Sequence, residues 1–397
     1  MKRLLRSIAF VATLAAPLAA LADDWTPQQM DILRSLWIGS LPDAPPDPGN
    51  RYADDPRAAA LGRKLFNDRR LSSNGKVACA TCHDERKAFT DGRTLARGVG
   101  VTDRNAPSVI GVAWGAWMFW DGRRDSLWSQ ALASMENPLE HNATRALIVD
   151  VLRRDADYRR RYREIFGALP ERGDEEGVTR AFVNVGKAIA AFERTLRPGA
   201  SRFDRYVAAR LAGRMPQTKD ESLSLDEELG LRAFLSVEHS QCLRCHNGPL
   251  FTNGTFHNIA SQNRKAVTSE AGRSEGVGKA IASEFNCLSR WSDARPGQCP
   301  ELEFVRAQGE DLIGAFKAPS LRNVARTAPY FHDGHIANLE DVIWHYRTRN
   351  GAVLGQSELE AATMTGTEFE QLRIFLGTLD SPYVKTPPGR MRAAAAE

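Results

Sequence analysis

Apolar residues recur at helical spacing through much of the chain, and sustained two-residue alternation is missing. Between Ala143 and Gly167, Leu147, Val151, Tyr158, Tyr162, Ile165 and Phe166 fall on one helical stripe. Val178, Phe182, Val185, Ile189, Phe192 and Leu196 do the same in the next segment. Pro170-Glu171-Arg172-Gly173-Asp174 lies between them and reads as a turn or linker. Ser224 with Glu227 predicts a capping box at the start of another helix. Phe369, Leu372, Phe375 and Leu376 mark a helix near the C-terminus. Leu339, Val342, Ile343 and Tyr346 stand at i, i+3, i+4 and i+7 and predict a short helix capped by Asn338. Tyr346 then shares the apolar face, and His345 is turned away by about 100°. The stretch from Ala260 to Pro300 has weak periodicity and reads as a long loop or insertion. These patterns predict a mainly α fold with long loops.

Two short motifs stand out against this background: Cys79-Ala80-Thr81-Cys82-His83 and Cys242-Leu243-Arg244-Cys245-His246. Each is C-x-x-C-H, the attachment signature of a c-type haem. The thiols add to the haem vinyl groups and the histidine binds iron. The competing reading is a zinc cluster, for which the two pairs must converge as four ligands. Two copies, each ending in histidine, in a chain with six cysteines favour haem. Beyond the two motifs the reading finds no internal repeat.

The N-terminus changes the picture of compartment. Lys2, Arg3 and Arg6 precede an apolar stretch from Ile8 to Leu21, and Ala20-Leu21-Ala22 resembles a cleavage site. Residues 1–22 therefore read as a secretory signal peptide, which predicts export to a periplasm. No later apolar run has the length of a membrane span. In that oxidising space Cys287 and Cys299 are expected to form a disulfide, with free thiols as the alternative. The formal charge is +4, and Lys2, Arg3 and Arg6 account for three of the 53 basic residues against 49 acidic ones. The exported chain is thus near neutral and gives no case for nucleic acid or anionic membrane as partner. The expected division is an N-terminal haem domain over 23–170, a C-terminal one over 171–386 and a frayed tail over 387–397.

Two haems imply redox chemistry, and the open or filled sixth iron position decides which kind. Candidate groups lie in Asn105-Ala106-Pro107-Ser108, in Phe119-Trp120-Asp121-Gly122-Arg123, and onward through Gln130, Glu136 and Glu140. A second set is Thr327-Ala328-Pro329-Tyr330-Phe331-His332-Asp333-Gly334, followed by Tyr346. With both haem motifs, these segments resemble the di-haem cytochrome c peroxidase and MauG family over nearly the whole exported chain.

The resemblance implies two cytochrome c-like domains with a calcium ion and a tryptophan between the haems. It makes Trp120 the inter-haem tryptophan. It places Asn105, by its side chain, and Thr327 and Pro329, by their carbonyls, around calcium. It puts Gln130 and Glu140 on the distal face of the peroxide-binding haem held by His83. It puts Tyr346 at the sixth position of the haem held by His246. His345 is the next candidate ligand, and Glu136 is a second candidate acid. His141 reads as polar surface or a helper of Glu140. His332 reads as structural, or as a partner of a propionate or of the ligand region. Trp114, Trp117 and Trp128 read as core or haem-edge aromatics, and Trp291 and Trp344 are candidate surface exits for oxidising equivalents.

Two departures matter. Peroxidase members of the family carry methionine where this chain has Tyr346, and MauG carries tyrosine. Peroxidase members also carry a blocking histidine in the loop that here reads Arg97-Gly98-Val99-Gly100. Both point to the MauG-like branch, and the Cys287–Cys299 loop resembles the MbnH subgroup, which oxidises a tryptophan of a partner protein. The expected activity is therefore oxidation of a secreted partner protein with hydrogen peroxide. Its rivals are a peroxide-detoxifying peroxidase fed by a small redox protein and a non-enzymatic electron carrier.

Overall fold

The computed structural model describes residues 25–262, 270–348, 351–360 and 362–385. The segment over 1–22 that reads as a signal peptide and the tail over 387–397 lie outside the described residues. The fold is mainly α-helical. In chain order the helices are α1 (Pro27–Leu36), α2 (Pro56–Phe66), α3 (Cys79–Cys82), α4 (Leu127–Glu136), α5 (Arg145–Arg154), α6 (Ala156–Phe166) and α7 (Glu175–Glu193). There follow α8 (Arg202–Leu211), α9 (Leu225–Leu235), α10 (Arg273–Ile281), α11 (Pro300–Glu303), α12 (Leu339–Thr348) and α13 (Gly366–Leu376). The strands β1 (Leu196–Pro198), β2 (Phe256–His257), β3 (Phe316–Lys317) and β4 (Tyr383–Lys385) are very short. β1 pairs with β4 and β2 with β3, both antiparallel.

Local chemistry explains the helix ends. The stripe from Ala143 to Gly167 is broken into α5 and α6 at Asp155, whose carboxylate accepts from the amides of Asp157 and Tyr158 and so starts a new helix. Ser224 and Glu227 form the reciprocal capping box before α9. Asn338 caps α12 through its side-chain oxygen, which accepts from the Asp341 amide at 2.8 Å. The weakly periodic region after Ala260 is not all loop, since α10 forms within it. The Cys287–Cys299 disulfide is present, with the Cα atoms 5.8 Å apart.

The hydrophobic core divides into two large clusters. One gathers α2, α4, α5, α6 and α7 with Phe285 and Trp291; the other gathers α8, α9, α12 and α13 with Trp25, Leu33 and Leu36. A boundary between 170 and 171 is therefore displaced from where the cores divide. α7 belongs with the first core because its apolar face packs on α2, and α1 crosses to the second core from the other end of the chain.

The cores are built alike, which corrects the reading that only the haem motifs repeat. In each, a helix bearing Leu-Gly precedes C-x-x-C-H: Leu61-Gly62 in α2 and Leu229-Gly230 in α9. Each glycine lets a second helix cross at backbone contact. A Cβ on Gly62 would lie 1.8 Å from the Ala188 carbonyl oxygen of α7, and one on Gly230 would lie 2.0 Å from that of Gln371 in α13. Phe89-Thr90-Asp91-Gly92 matches Phe251-Thr252-Asn253-Gly254, and Ala106-Pro107-Ser108 matches Ala318-Pro319-Ser320. Phe119-Trp120-Asp121-Gly122 matches Phe331-His332-Asp333-Gly334. Phe89, Phe251, Phe119 and Phe331 all have positive φ. Ser108 Oγ donates to the Ala88 carbonyl at 2.7 Å, and Ser320 Oγ to the Leu250 carbonyl at 2.6 Å.

The copies meet reciprocally. The Asn105 amide donates to the His332 carbonyl at 2.9 Å, and the Lys317 amide donates to the Trp120 carbonyl at 2.8 Å. Asn105 and Lys317 hold matching places before Ala-Pro-Ser, as Trp120 and His332 do after their phenylalanines. Such an exchange is the mark of a two-fold relation. It places Trp120 and His332 at the seam.

Candidate di-haem site

Both C-x-x-C-H motifs open on one continuous cavity of about 730 Å³. Its wall includes Cys82, His83, Cys242, Cys245 and His246, and also Asn105, Trp120, Gln130, Glu140, Thr327, Pro329 and Tyr346. Cys79 packs against the first core, and Cys79, Cys82, Cys242 and Cys245 are all outside any disulfide. The predicted site residues, scattered over most of the sequence, therefore converge. The two cysteine pairs belong to separate cores rather than to one four-ligand cluster, which leaves no basis for the zinc reading.

Each proximal histidine is prepared in the same way. Nδ1 of His83 donates to the Phe89 carbonyl at 3.1 Å, and Nδ1 of His246 donates to the Phe251 carbonyl at 3.0 Å. A carbonyl only accepts, so the ring proton is held on Nδ1 and Nε2 keeps its lone pair. Burial pulls both histidine pKa values down, that of His246 to about 4, so the imidazoles stay neutral as iron ligands require. The positive φ of Phe89 and Phe251 is what turns each carbonyl back onto its histidine. Paired thiols, neutral imidazoles with a free nitrogen and a largely apolar cavity fit a c-type haem at both motifs.

The two sides of the cavity differ in chemistry. On the first side Glu140 is half-buried, and desolvation raises its pKa. Ser134 Oγ donates to its Oε2 at 2.6 Å and Asn137 Nδ2 to its Oε1 at 2.8 Å. Gln130 Nε2 donates to Ser134 Oγ at 3.1 Å, so Gln130 and Glu140 are joined through one hydroxyl. The helical spacing of Gln130 and Ser134 on α4 permits this, and the sequence reading missed Ser134 and Asn137. The loop over 97–100 packs on the backbone of the acid. The Val99 amide donates to the Glu140 carbonyl at 2.8 Å and the Gly100 amide to the Leu139 carbonyl at 2.9 Å. A Cβ on Gly98 would lie 2.4 Å from the Glu140 carbonyl oxygen, so glycine is needed for this approach.

On the second side Tyr346 faces the cavity, and burial raises its pKa. No hydrogen-bond partner of its hydroxyl is found among the described residues, which suits an oxygen reserved for a metal. His345 is turned away, with Nε2 donating to the Ile259 carbonyl at 2.7 Å. Between the two sides, Trp120 Nε1 donates to the Asn105 carbonyl at 2.9 Å.

Several secondary expectations change. His141 is buried, 4% exposed, and its Nδ1 donates to the Leu71 carbonyl, so it is not surface. Glu136 lies outside the cavity in an ion pair with Arg145. His332 stacks on Phe316 at 3.6 Å and pairs with Glu270 at 2.7 Å. Trp291 is buried, 6% exposed, and is no surface exit, whereas Trp344 is 51% exposed. Lys317 lines the cavity with its ammonium donating to the Trp117 carbonyl, and Glu193 lines it with its Oε2 buried and unpartnered among the described residues. Neither was singled out from the sequence. A charged residue inside the apolar run of α7 was the available signal for Glu193.

Among the described residues no helix is long and apolar enough to cross a membrane. The family model for di-haem cytochrome c peroxidase matches residues 56–211. The methylamine utilization protein MauG of Methylorubrum extorquens is 33% identical, covering 82% of this chain and 78% of its own. The cytochrome c551 peroxidase of Nitrosomonas europaea is 29% identical, covering 83% of this chain and 82% of its own. A solved MauG-like protein associated with microbial copper homeostasis superposes with a TM-score of 0.61 at 30% identity, covering 86% of this chain and 95% of that one. The chain belongs to the di-haem cytochrome c peroxidase and MauG family, and it is an oxidoreductase acting on hydrogen peroxide with two c-type haems.

Proposed function

We propose that this enzyme uses hydrogen peroxide to oxidise a side chain, such as tryptophan, of a secreted partner protein in the periplasm. The observation that carries the reading is the asymmetry of the cavity: a carboxylate in a hydrogen-bonded chain on one side and an unpartnered phenol on the other. Glu140 is the group that moves the peroxide proton, held in place by Ser134 and Asn137 and raised in pKa by burial. Gln130 orients the relay through Ser134. His83 and His246 would each hold a haem iron, and Tyr346 would offer its phenol oxygen to the second. Trp120 is the relay between the two sides. Asn105, Thr327 and Pro329 would hold a calcium ion through oxygen atoms, which suits its preference. The haems would supply the two-electron oxidation, with electrons arriving from the partner through the protein.

A phenolate favours ferric iron and lowers the potential, so the second haem makes a poor store for a pre-loaded electron. The loop over 97–100 carries no histidine to occupy the first iron. Mixing the diferric enzyme with one equivalent of peroxide is expected to give a long-lived oxidised species at once. A peroxide response only after one-electron reduction would favour the detoxifying reading, which the cytochrome c551 peroxidase relative keeps in view.

A further inference from the structure

Glu193, the last residue of α7, is 4% exposed, and its Oε2 is buried with no hydrogen-bond partner. The cavity wall around the first haem motif includes this side chain, and its charge is felt by the Cys79 thiol. A carboxylate so placed is costly unless it is neutral or gains a positive neighbour. The fold does not require it. The matching place on α13, after Phe375 as Glu193 follows Phe192, is Leu376, which is likewise buried and lines the cavity. A polar group is thus kept at one haem and absent from the other.

We propose that Glu193 is the redox-linked proton carrier of the first haem, binding a proton when that iron is reduced and releasing it when the iron is oxidised. On reduction the iron takes one electron and the carboxylate takes one proton from solvent, forming its O–H bond; oxidation reverses both changes. The added positive charge of oxidised iron is the counter-charge that the site otherwise lacks. Asp91, the other buried acid near the motif, accepts from the Arg93 amide through Oδ1, and the remaining charged neighbours are exposed or engaged. Arg63 and Lys64 of α2 are exposed, and Glu136 of α4 pairs with Arg145, which also pairs with Glu284. Arg194 turns away to Asp54 and the Pro45 carbonyl. Glu140 is held by Ser134 and Asn137, and His83 and His141 are fixed on the Phe89 and Leu71 carbonyls. Cys79 and Cys82 no longer ionise once they are thioethers. Burial pushes Glu193 up to about 8, so it carries its proton at neutral pH until the iron is oxidised.

The inference needs a haem at Cys79 and Cys82 and is independent of which protein donates electrons. The test is spectroelectrochemical titration of the di-haem protein at a series of pH values, with the second haem as internal control. The wild-type potential of the first haem is expected to fall as pH rises, by up to a tenfold change in equilibrium per unit, about 59 mV for one electron. Glu193→Gln and Glu193→Leu should abolish that slope and hold the potential at the wild-type acid limit. The leucine variant copies a residue the same helix position already accepts. Infrared difference spectra of the wild type should also lose a protonated-carboxyl band on oxidation. A slope retained in both variants, or no such band, overturns the proposal.

Discussion

Glu140→Gln is expected to slow the reaction of the diferric enzyme with peroxide by about 10²- to 10⁴-fold, the range for losing a positioned proton-transfer group. Glutamine preserves the shape and still accepts from Asn137 or Ser134, so the local fold should persist. What is lost is the group that takes and returns a proton. Stopped-flow mixing with peroxide measures the rate, and the spectrum of the second haem should not change. A wild-type rate in this variant would remove Glu140 from the mechanism and turn attention to Glu193. The effect should depend on pH as well. Because burial raises the pKa of Glu140, the ionised form that accepts the proton fades as pH falls from neutrality, at higher pH than for an exposed glutamate.

Tyr346→Met is the second large effect. Methionine stabilises ferrous iron relative to phenolate, so the second haem's potential should rise by several tenths of a volt, within the span of about 0.8 V that axial ligands command. The variant should then accept an electron readily and lose the long-lived oxidised species formed with one equivalent of peroxide. Redox titration followed at the haem absorption bands measures the shift. An unchanged potential would show that the Tyr346 hydroxyl does not reach iron.

Much of this site was legible because its chemistry is written in short, local motifs. Cys79, Cys82, His83 and their counterparts need no long-range information, and the face of α12 that carries Tyr346 follows from the spacing of Leu339, Val342 and Ile343. The capping box of Ser224 and Glu227 is likewise a local device. What stayed hidden is long-range or relational. The duplicate architecture was masked because the second copy carries a long segment from 255 to 316 where the first has only the stretch from 93 to 104. The matched helix crossings at Gly62 and Gly230 and the exchanged hydrogen bonds of Asn105, His332, Trp120 and Lys317 expose it. The core boundary was misplaced at Pro170 because a turn in sequence was read as a division, although α7 returns to pack on α2. His141 looked like surface because nothing local reveals the Leu71 carbonyl that receives its proton. Asp155 interrupts a smooth apolar stripe by capping, a competition between side chain and backbone that periodicity alone does not register.

The account rests on two unlike irons in one cavity, one open beside Glu140 and one closed by Tyr346. Electron paramagnetic resonance of the resting diferric enzyme, repeated on Tyr346→Phe, tests this most directly. The account predicts one high-spin signal and one low-spin signal in the wild type, with only the low-spin signal altered by the substitution. Two equivalent low-spin signals, or a low-spin signal that survives Tyr346→Phe unchanged, would contradict it.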